Sequence, residues 1–215
     1  MAGQRDPMPL GMEIKPVPQN LGGVQQRIKP APAGPIGMKA AKPAAKAAAP
    51  TRLDDAARLN EIRQLVKANN RSTLPDNMVV CQIYKESGFD KNAGVGKHGA
   101  LGLMQVQRNA IKQVYKYRLQ KELGHMPSDS MTKTAFAEGD KMYESGQLTD
   151  EATNIQLGTE YMQYWLDKSP NQRAAYVSYR GDGGKEDYYE RIKACADKLD
   201  RSPDNVQILY SLHGH

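Results

Sequence analysis

Glu86 closes an apolar run and is followed by Gly88, Gly94, Gly96, Gly99 and Gly102, and then by the string Gly102-Leu103-Met104-Gln105. A single carboxyl group set between a hydrophobic segment and a glycine-rich loop has the setting of a proton donor. Pro75 suits the first turn of a helix. Met78, Val79, Val80, Cys81, Ile83 and Tyr84 make the segment apolar nearly all round, and Gly88 is a natural terminating glycine. Glu86 then falls in the last turn, where the negative end of the helix dipole and apolar neighbours disfavour a charged carboxylate. The plainer alternative is a surface glutamate at a frayed helix end.

Other chemistries have less support. Ser87 lacks an adjacent base, since the histidines of the chain are His98, His125, His213 and His215, and its hydroxyl is expected to bond to nearby backbone. No His/Cys/Asp/Glu spacing reads as a metal site, and no cofactor is expected. Cys81 and Cys195 are too few to define a disulfide framework. They are two buried thiols, or one bridge if the protein works in an oxidising compartment.

The elements that must position Glu86 read as helices throughout. Ala56, Leu59, Ile62, Leu65 and Val66 share one face of a helix over 54–70, with Asn69-Asn70 as its stop. Ile111, Val114, Tyr115, Leu119 and Leu123 repeat at helical spacing up to Gly124. Residues 125–150 are polar and punctuated, and read as an insertion with one helix over 132–144 that lines one side of a cleft. Thr149 can cap a helix carrying Ala152, Ile155, Met162, Trp165 and Leu166. Ser169-Pro170 starts another, ending in Tyr179-Arg180-Gly181-Asp182-Gly183-Gly184. Tyr188, Tyr189, Ile192, Ala196 and Leu199 form the apolar face of the next, and Ser202-Pro203 opens the last. No alternating strand pattern competes, so the fold class is all-α.

Residues 1–50 differ in kind. They hold nine of the 13 prolines and almost no aromatic or branched apolar clusters, the composition of a disordered Pro/Ala/Lys-rich arm ahead of a domain over 51–215. The arm carries seven basic and two acidic residues, so five of the six net positive charges belong to it. The high isoelectric point therefore describes the arm and not the domain. Without aromatic or Gly-Arg interleaving the arm does not read as a nucleic-acid binder. No run of about 18 apolar residues offers a membrane span, and the N-terminus lacks the apolar segment of an ordinary secretory signal.

Four blocks in order carry a resemblance. Glu86-Ser87-Gly88-Phe89-Asp90 through Asn92-Ala93, Gly99-Ala100 with Gly102-Leu103-Met104-Gln105-Val106, Asn154-Ile155-Gln156-Leu157-Gly158 through Tyr161, and Tyr179 with the glycines behind it resemble the goose-type-lysozyme-like soluble lytic transglycosylase domain over roughly residues 55–200. The family's Ala-Tyr-Asn segment stands here as Ser178-Tyr179-Arg180, with Ala175-Tyr176-Val177 as a rival alignment.

The resemblance implies a lysozyme-like helical domain that acts on peptidoglycan glycan strands. Glu86 would protonate the glycosidic oxygen between N-acetylmuramic acid and N-acetylglucosamine. It would then deprotonate the muramyl C6 hydroxyl to give a 1,6-anhydro product. Ser87, Met104, Gln105 and Tyr179 carry over as substrate-side residues, with the Tyr179 hydroxyl near Glu86. Asp182 is the candidate second carboxylate of a hydrolytic muramidase on the same fold. A non-catalytic glycan-binding module is the reading from another class. Action in the periplasm or cell wall without an ordinary signal would call for a specialised secretion machine or a phage, and an effector would call for an inhibitor protein. Cys81 and Cys195 are expected to bring the central and penultimate helices together.

Overall fold

The computed structural model describes residues 52–96, 99–181 and 187–212, so the 1–50 arm, His98, Asp182 and His213 to His215 lie outside the described residues. Among the described residues the chain runs α1 (Arg52–Asn69), α2 (Asp76–Ser87), β1 (Ala100–Leu101), β2 (Val106–Gln107), α3 (Arg108–Leu123), α4 (Asp129–Glu144), a 3-10 turn (Gln147–Thr149), α5 (Glu151–Lys168), α6 (Gln172–Arg180), α7 (Tyr188–Arg201) and α8 (Gln207–Tyr210). The fold is all-α with one small hairpin.

Helix α2 is the centre. It packs against α1, α7 and α8, and six consecutive residues from Met78 to Ile83 are buried on it. A helix apolar on every side is stable only inside a bundle, and each large apolar side chain so buried contributes about 1.5–3 kcal/mol. Asp76 complements the positive end of the helix dipole. Gly88 terminates α2 in the left-handed conformation (φ 62°), its N–H bonding to Tyr84 O, so the chain leaves the helix immediately after Glu86 and Ser87. Cys81 on α2 and Cys195 on α7 form a disulfide, with 6.1 Å between Cα atoms. Both are buried in the hydrophobic core.

The second layer is α5, which contacts α1, α3, α6 and β2. The insertion over 125–150 folds as α4 against α3. Ser128 caps α4 by accepting from Met131 N–H, which starts the helix at Asp129, three residues before the expected Thr132. At Gly139 the two helices meet so closely that a Cβ would come within 2.8 Å of Lys112 Cα. Asp140 bridges Arg108 (2.5 Å) and Lys112 (3.0 Å) across the same crossing.

Several sequence expectations need correction. The hairpin pairs Ala100 with Gln107 and Leu101 with Val106; two-residue strands are too short to show an alternating pattern. Asp150, not Thr149, caps α5 by accepting from Thr153 N–H at 2.9 Å, because Thr149 is taken up in the 3-10 turn. Helix α6 begins after Asn171, which accepts from Ala174 N–H at 2.9 Å, two residues beyond the Ser169-Pro170 start. Ser202-Pro203 does not open the last helix, which starts at Gln207 with Asn205 Oδ1 accepting its N–H. At α5 and α6 the residue whose side chain reaches a free N–H sets the boundary.

Candidate active site

Glu86 is held where α2, α6 and α7 converge. Its side chain is 14% exposed. The Tyr188 hydroxyl, from the first turn of α7, donates to Glu86 Oε1 at 2.5 Å. Arg180 Nη1, from the last turn of α6, stands 3.5 Å from the same oxygen. The Arg180 guanidinium also lies over the Tyr188 ring, 4.5 Å from its centroid. The three side chains form one stacked unit: ring beneath guanidinium, with both reaching Oε1. Tyr188 and Tyr179 are held far above the ordinary phenol range, first by burial and then by the negative charge of Glu86. Both are therefore neutral hydroxyls that can donate hydrogen bonds.

The loop that carries Gly102 to Gln105 is built by Asn154. This fully buried side chain accepts from Met104 N–H at 2.8 Å and donates to Leu101 O and Leu148 O at 2.9 Å each. It thus joins the hairpin loop, the 3-10 turn and α5 through one amide. Gly102 (φ +73°) passes so near Asn154 that a Cβ would sit 2.2 Å from its Nδ2. One turn further along α5, a Cβ on Gly158 would come within 2.5 Å of Met104 Sδ. The Asn-Ile-x-x-Gly spacing is thereby explained: Asn154 binds the loop's backbone and Gly158 makes room for its methionine.

The expected site residues divide. Glu86 lies in the last turn of α2 with its carboxyl in the cluster just described. Ser87 Oγ donates to Ile83 O at 3.0 Å, a local bond one turn back. Met104 is fully buried against α5 and is a core residue, not a groove residue. Gln105 takes a left-handed backbone (φ 47°), and its Nε2 donates to Ala93 O and Gly102 O at 3.0 and 2.9 Å. Tyr179 donates to Met104 O at 3.1 Å, so its hydroxyl holds the loop while Tyr188 takes the carboxyl. A small cavity of about 140 Å³ opens beside the cluster, lined by Gln105, Asn109, Tyr161, Tyr179 and Arg180 among others. Asp182 lies outside the described residues.

Sequence reading missed Tyr188, whose type and position fit the core of α7 equally well; its location directly after the glycine-rich exit from α6 is the signal that was available. Arg180 was legible as a departure from a motif but not as a partner of Glu86. A larger cavity, about 980 Å³, is lined by Tyr84, Phe89, Leu209 and Tyr210 and includes none of Glu86, Gln105, Tyr179 or Arg180. Asp55, Arg58, Glu61 and Asp90 also line it, but Asp55 accepts from Tyr210, Glu61 pairs with Arg58 and Asp90 accepts from Asn92 N–H, so its carboxylates are engaged in local contacts and the Glu86 cluster lies outside it. Among the described residues no group of acids, cysteines and histidines could hold a metal ion, and no helix is long and apolar enough to cross a membrane.

The family model described as Transglycosylase SLT domain matches residues 64–199, more than half of the chain. The match spans Glu86, Asn154, Gly158, Tyr179, Arg180 and Tyr188. No curated protein and no solved structure matches the chain.

Proposed function

Because the chain belongs to the transglycosylase SLT domain family, whose activity is on cell-wall peptidoglycan, we propose that Glu86 is the single acid and base of a lytic transglycosylase that cuts the bond between N-acetylmuramic acid and N-acetylglucosamine. The observation that carries the reading is the asymmetric hold on Glu86. Tyr188 and Arg180 both address Oε1, which leaves Oε2 to carry the proton and exchange it with substrate. In the first half-reaction Oε2–H protonates the glycosidic oxygen as the bond to the muramyl C1 breaks. Positive charge developing at C1 is met by the sugar's own N-acetyl oxygen. In the second, Oε2 takes the proton from the muramyl C6 hydroxyl, which attacks C1 and closes the 1,6-anhydro ring. Tyr188 fixes the carboxyl rotamer through both steps, and its neutral phenol keeps the donor in place. The loop anchored by Asn154 is tied to the site through Tyr179, which donates to Met104 O and feels the charge of Glu86.

The test is digestion of purified sacculi by wild type and Glu86→Gln, with the muropeptides resolved by mass. General acid–base catalysis contributes about 10²–10⁴-fold, so the variant is expected to lose at least about 100-fold in rate. Wild-type products should carry anhydro ends. Reducing ends in their place would make the enzyme a hydrolase and point to a second carboxylate.

A further inference from the structure

Among the described residues, the Arg180 guanidinium meets one ring face and one carboxylate. Its guanidinium offers five N–H groups in a planar fork. One face is occupied by the Tyr188 ring. Glu86 Oε1, at 3.5 Å, is the carboxylate paired with it among the described residues, and that separation exceeds the roughly 2.7–2.9 Å of a charge-assisted hydrogen bond. The Arg180 side chain is 36% exposed and stands at the rim of the small cavity beside Gln105, Asn109 and Tyr161.

Other cations stand nearby. Lys85, Arg180 and Arg191 gather around Glu86 and Asp187, and the Lys85 ammonium is held below its usual range first by burial and then by Arg191 and Arg180. Arg191 is matched by Asp187 at 2.8 Å, and Lys85 donates to Leu212 O at 2.6 Å. Among the described residues, the carboxylate within ion-pair distance of Arg180 is Glu86. Proton donation requires Glu86 to be neutral, and at that moment Arg180 loses its counter-charge in a partly desolvated place, which is unfavourable unless another anion replaces it.

We propose that Arg180 forms an anion subsite beside Glu86 that takes a carboxylate of the muramyl residue, either the free lactyl carboxylate of a strand stripped of its stem peptides or a carboxylate of the stem itself. The inference rests on the reading of Glu86 as the cleaving residue and adds to it a substrate class. A carboxylate in the cavity engages the free edge of the fork and replaces Glu86 as the partner of Arg180. Binding of the correct strand then frees Glu86 from its ion pair, and glycan lacking the carboxylate leaves Glu86 paired. If the lactyl group is the source, the reaction that supplies the substrate is an amidase-type hydrolysis that removes the stem peptides.

The experiment measures kcat/KM on three glycans from one preparation: strands with stem peptides, strands with stems removed, and stripped strands whose lactyl carboxylates have been converted to methylamides. Wild type is expected to cleave at least one carboxylate-bearing glycan about tenfold better than the methylamide, and the better of the two identifies the source. Arg180→Gln should bring the three values together while cleavage continues, and Arg180→Lys, which keeps the charge but not the fork, should retain part of the preference. Equal cleavage of all three by wild type overturns the proposal, as does a preference unchanged in Arg180→Gln. Loss of cleavage on every glycan by Arg180→Gln with an unaltered melting curve also overturns it, by placing Arg180 in the chemistry. Wild type inert on all three refutes the transglycosylase reading itself, which sets that failure apart.

Discussion

Replacing Cys81 and Cys195 together by alanine is the sharpest test of how α2 and α7 are held in register. The disulfide closes a loop with a sequence separation of 114 residues. In the chain-entropy treatment a loop of that length raises the unfolded state by about 4.8 kcal/mol at 25 °C. For a domain of this size each kcal/mol moves the melting temperature by about 2–4 °C, so the variant should melt about 10–20 °C below wild type. In urea, with a slope of about 2.5 kcal/mol/M, the midpoint should fall by about 2 M. Both proteins are unfolded without reductant and monitored by circular dichroism at 222 nm. A midpoint shift corresponding to less than about 1 kcal/mol would refute the reasoning, because it would mean that the unfolded chain is already as compact without the bond. Activity on sacculi is measured in parallel at 15 °C, where both forms are folded. The bond joins α2 five residues before Glu86 to α7 seven residues after Tyr188, so its effect on kcat at that temperature should be smaller than tenfold.

Three further outcomes follow from named contacts. Tyr188→Phe keeps the ring beneath Arg180 but removes the donor to Glu86; a hydrogen bond to a charged group is worth about 1.5–3 kcal/mol, so kcat should drop about 10–150-fold with KM and melting temperature little changed, and an equal rise in KM would argue for a substrate contact instead. Asn154→Leu removes the side-chain partner of Met104 N–H, Leu101 O and Leu148 O; at about 1–3 kcal/mol for each buried group that loses a partner, thermal melting should show a loss of about 3 kcal/mol, and a loss below about 1 kcal/mol would contradict the anchoring role. At Asp167, burial opposes the charge, but Tyr117, Gln163 and Lys121 outweigh it and hold the carboxyl below its usual range. A depressed folded value means that its stabilisation is full above the unfolded value of about 3.9 and fades as the pH falls through the folded one. The melting gap between wild type and Asp167→Asn should therefore be wide at pH 6 and narrow towards pH 3; a gap that grows on acidification would reverse the sign.

How much of this was readable depends on how local each signal is. The end of α2, and with it the place of Glu86, follows from Gly88 and a solid apolar run, both within a few residues of the site. The α5 block was recognisable for the same reason, since Asn154 and Gly158 are one turn apart. What escaped depends on distance along the chain. Tyr188 meets a carboxyl 102 residues away, and nothing near it in sequence separates a tyrosine that faces a core from one that faces an acid. Met104 lies in a string that looks like a groove lining, yet the space left by Gly158 draws it inward. The caps at Asp150 and Asn171 were misplaced because several polar residues compete within three positions and geometry alone selects one.

Among the described residues, two non-glycine residues with positive φ, Phe89 (69°) and Gln105 (47°), bracket the stretch that follows α2. A left-handed backbone costs an ordinary residue about 1–2 kcal/mol, so each must be held from outside. Phe89 is held by Arg58, which donates to its carbonyl at 3.0 Å while pairing with Glu151 at the start of α5, and by its ring set edge-on to Tyr84 at 5.0 Å. Gln105 is held by its own amide on two loop carbonyls and by Tyr179 on the carbonyl of Met104. The polar side chains of the motif blocks are thus largely occupied with backbone. That division explains why the blocks read as one signal in sequence but act in two ways: Asn154, Gln105 and Tyr179 hold the loop rigid, while Glu86, Tyr188 and Arg180 form a separate cluster in which Glu86 is the proton-handling group. Altering the loop's anchors should reduce stability and activity together, while changes among the three residues of the cluster should alter rate or substrate preference in a protein that still melts normally.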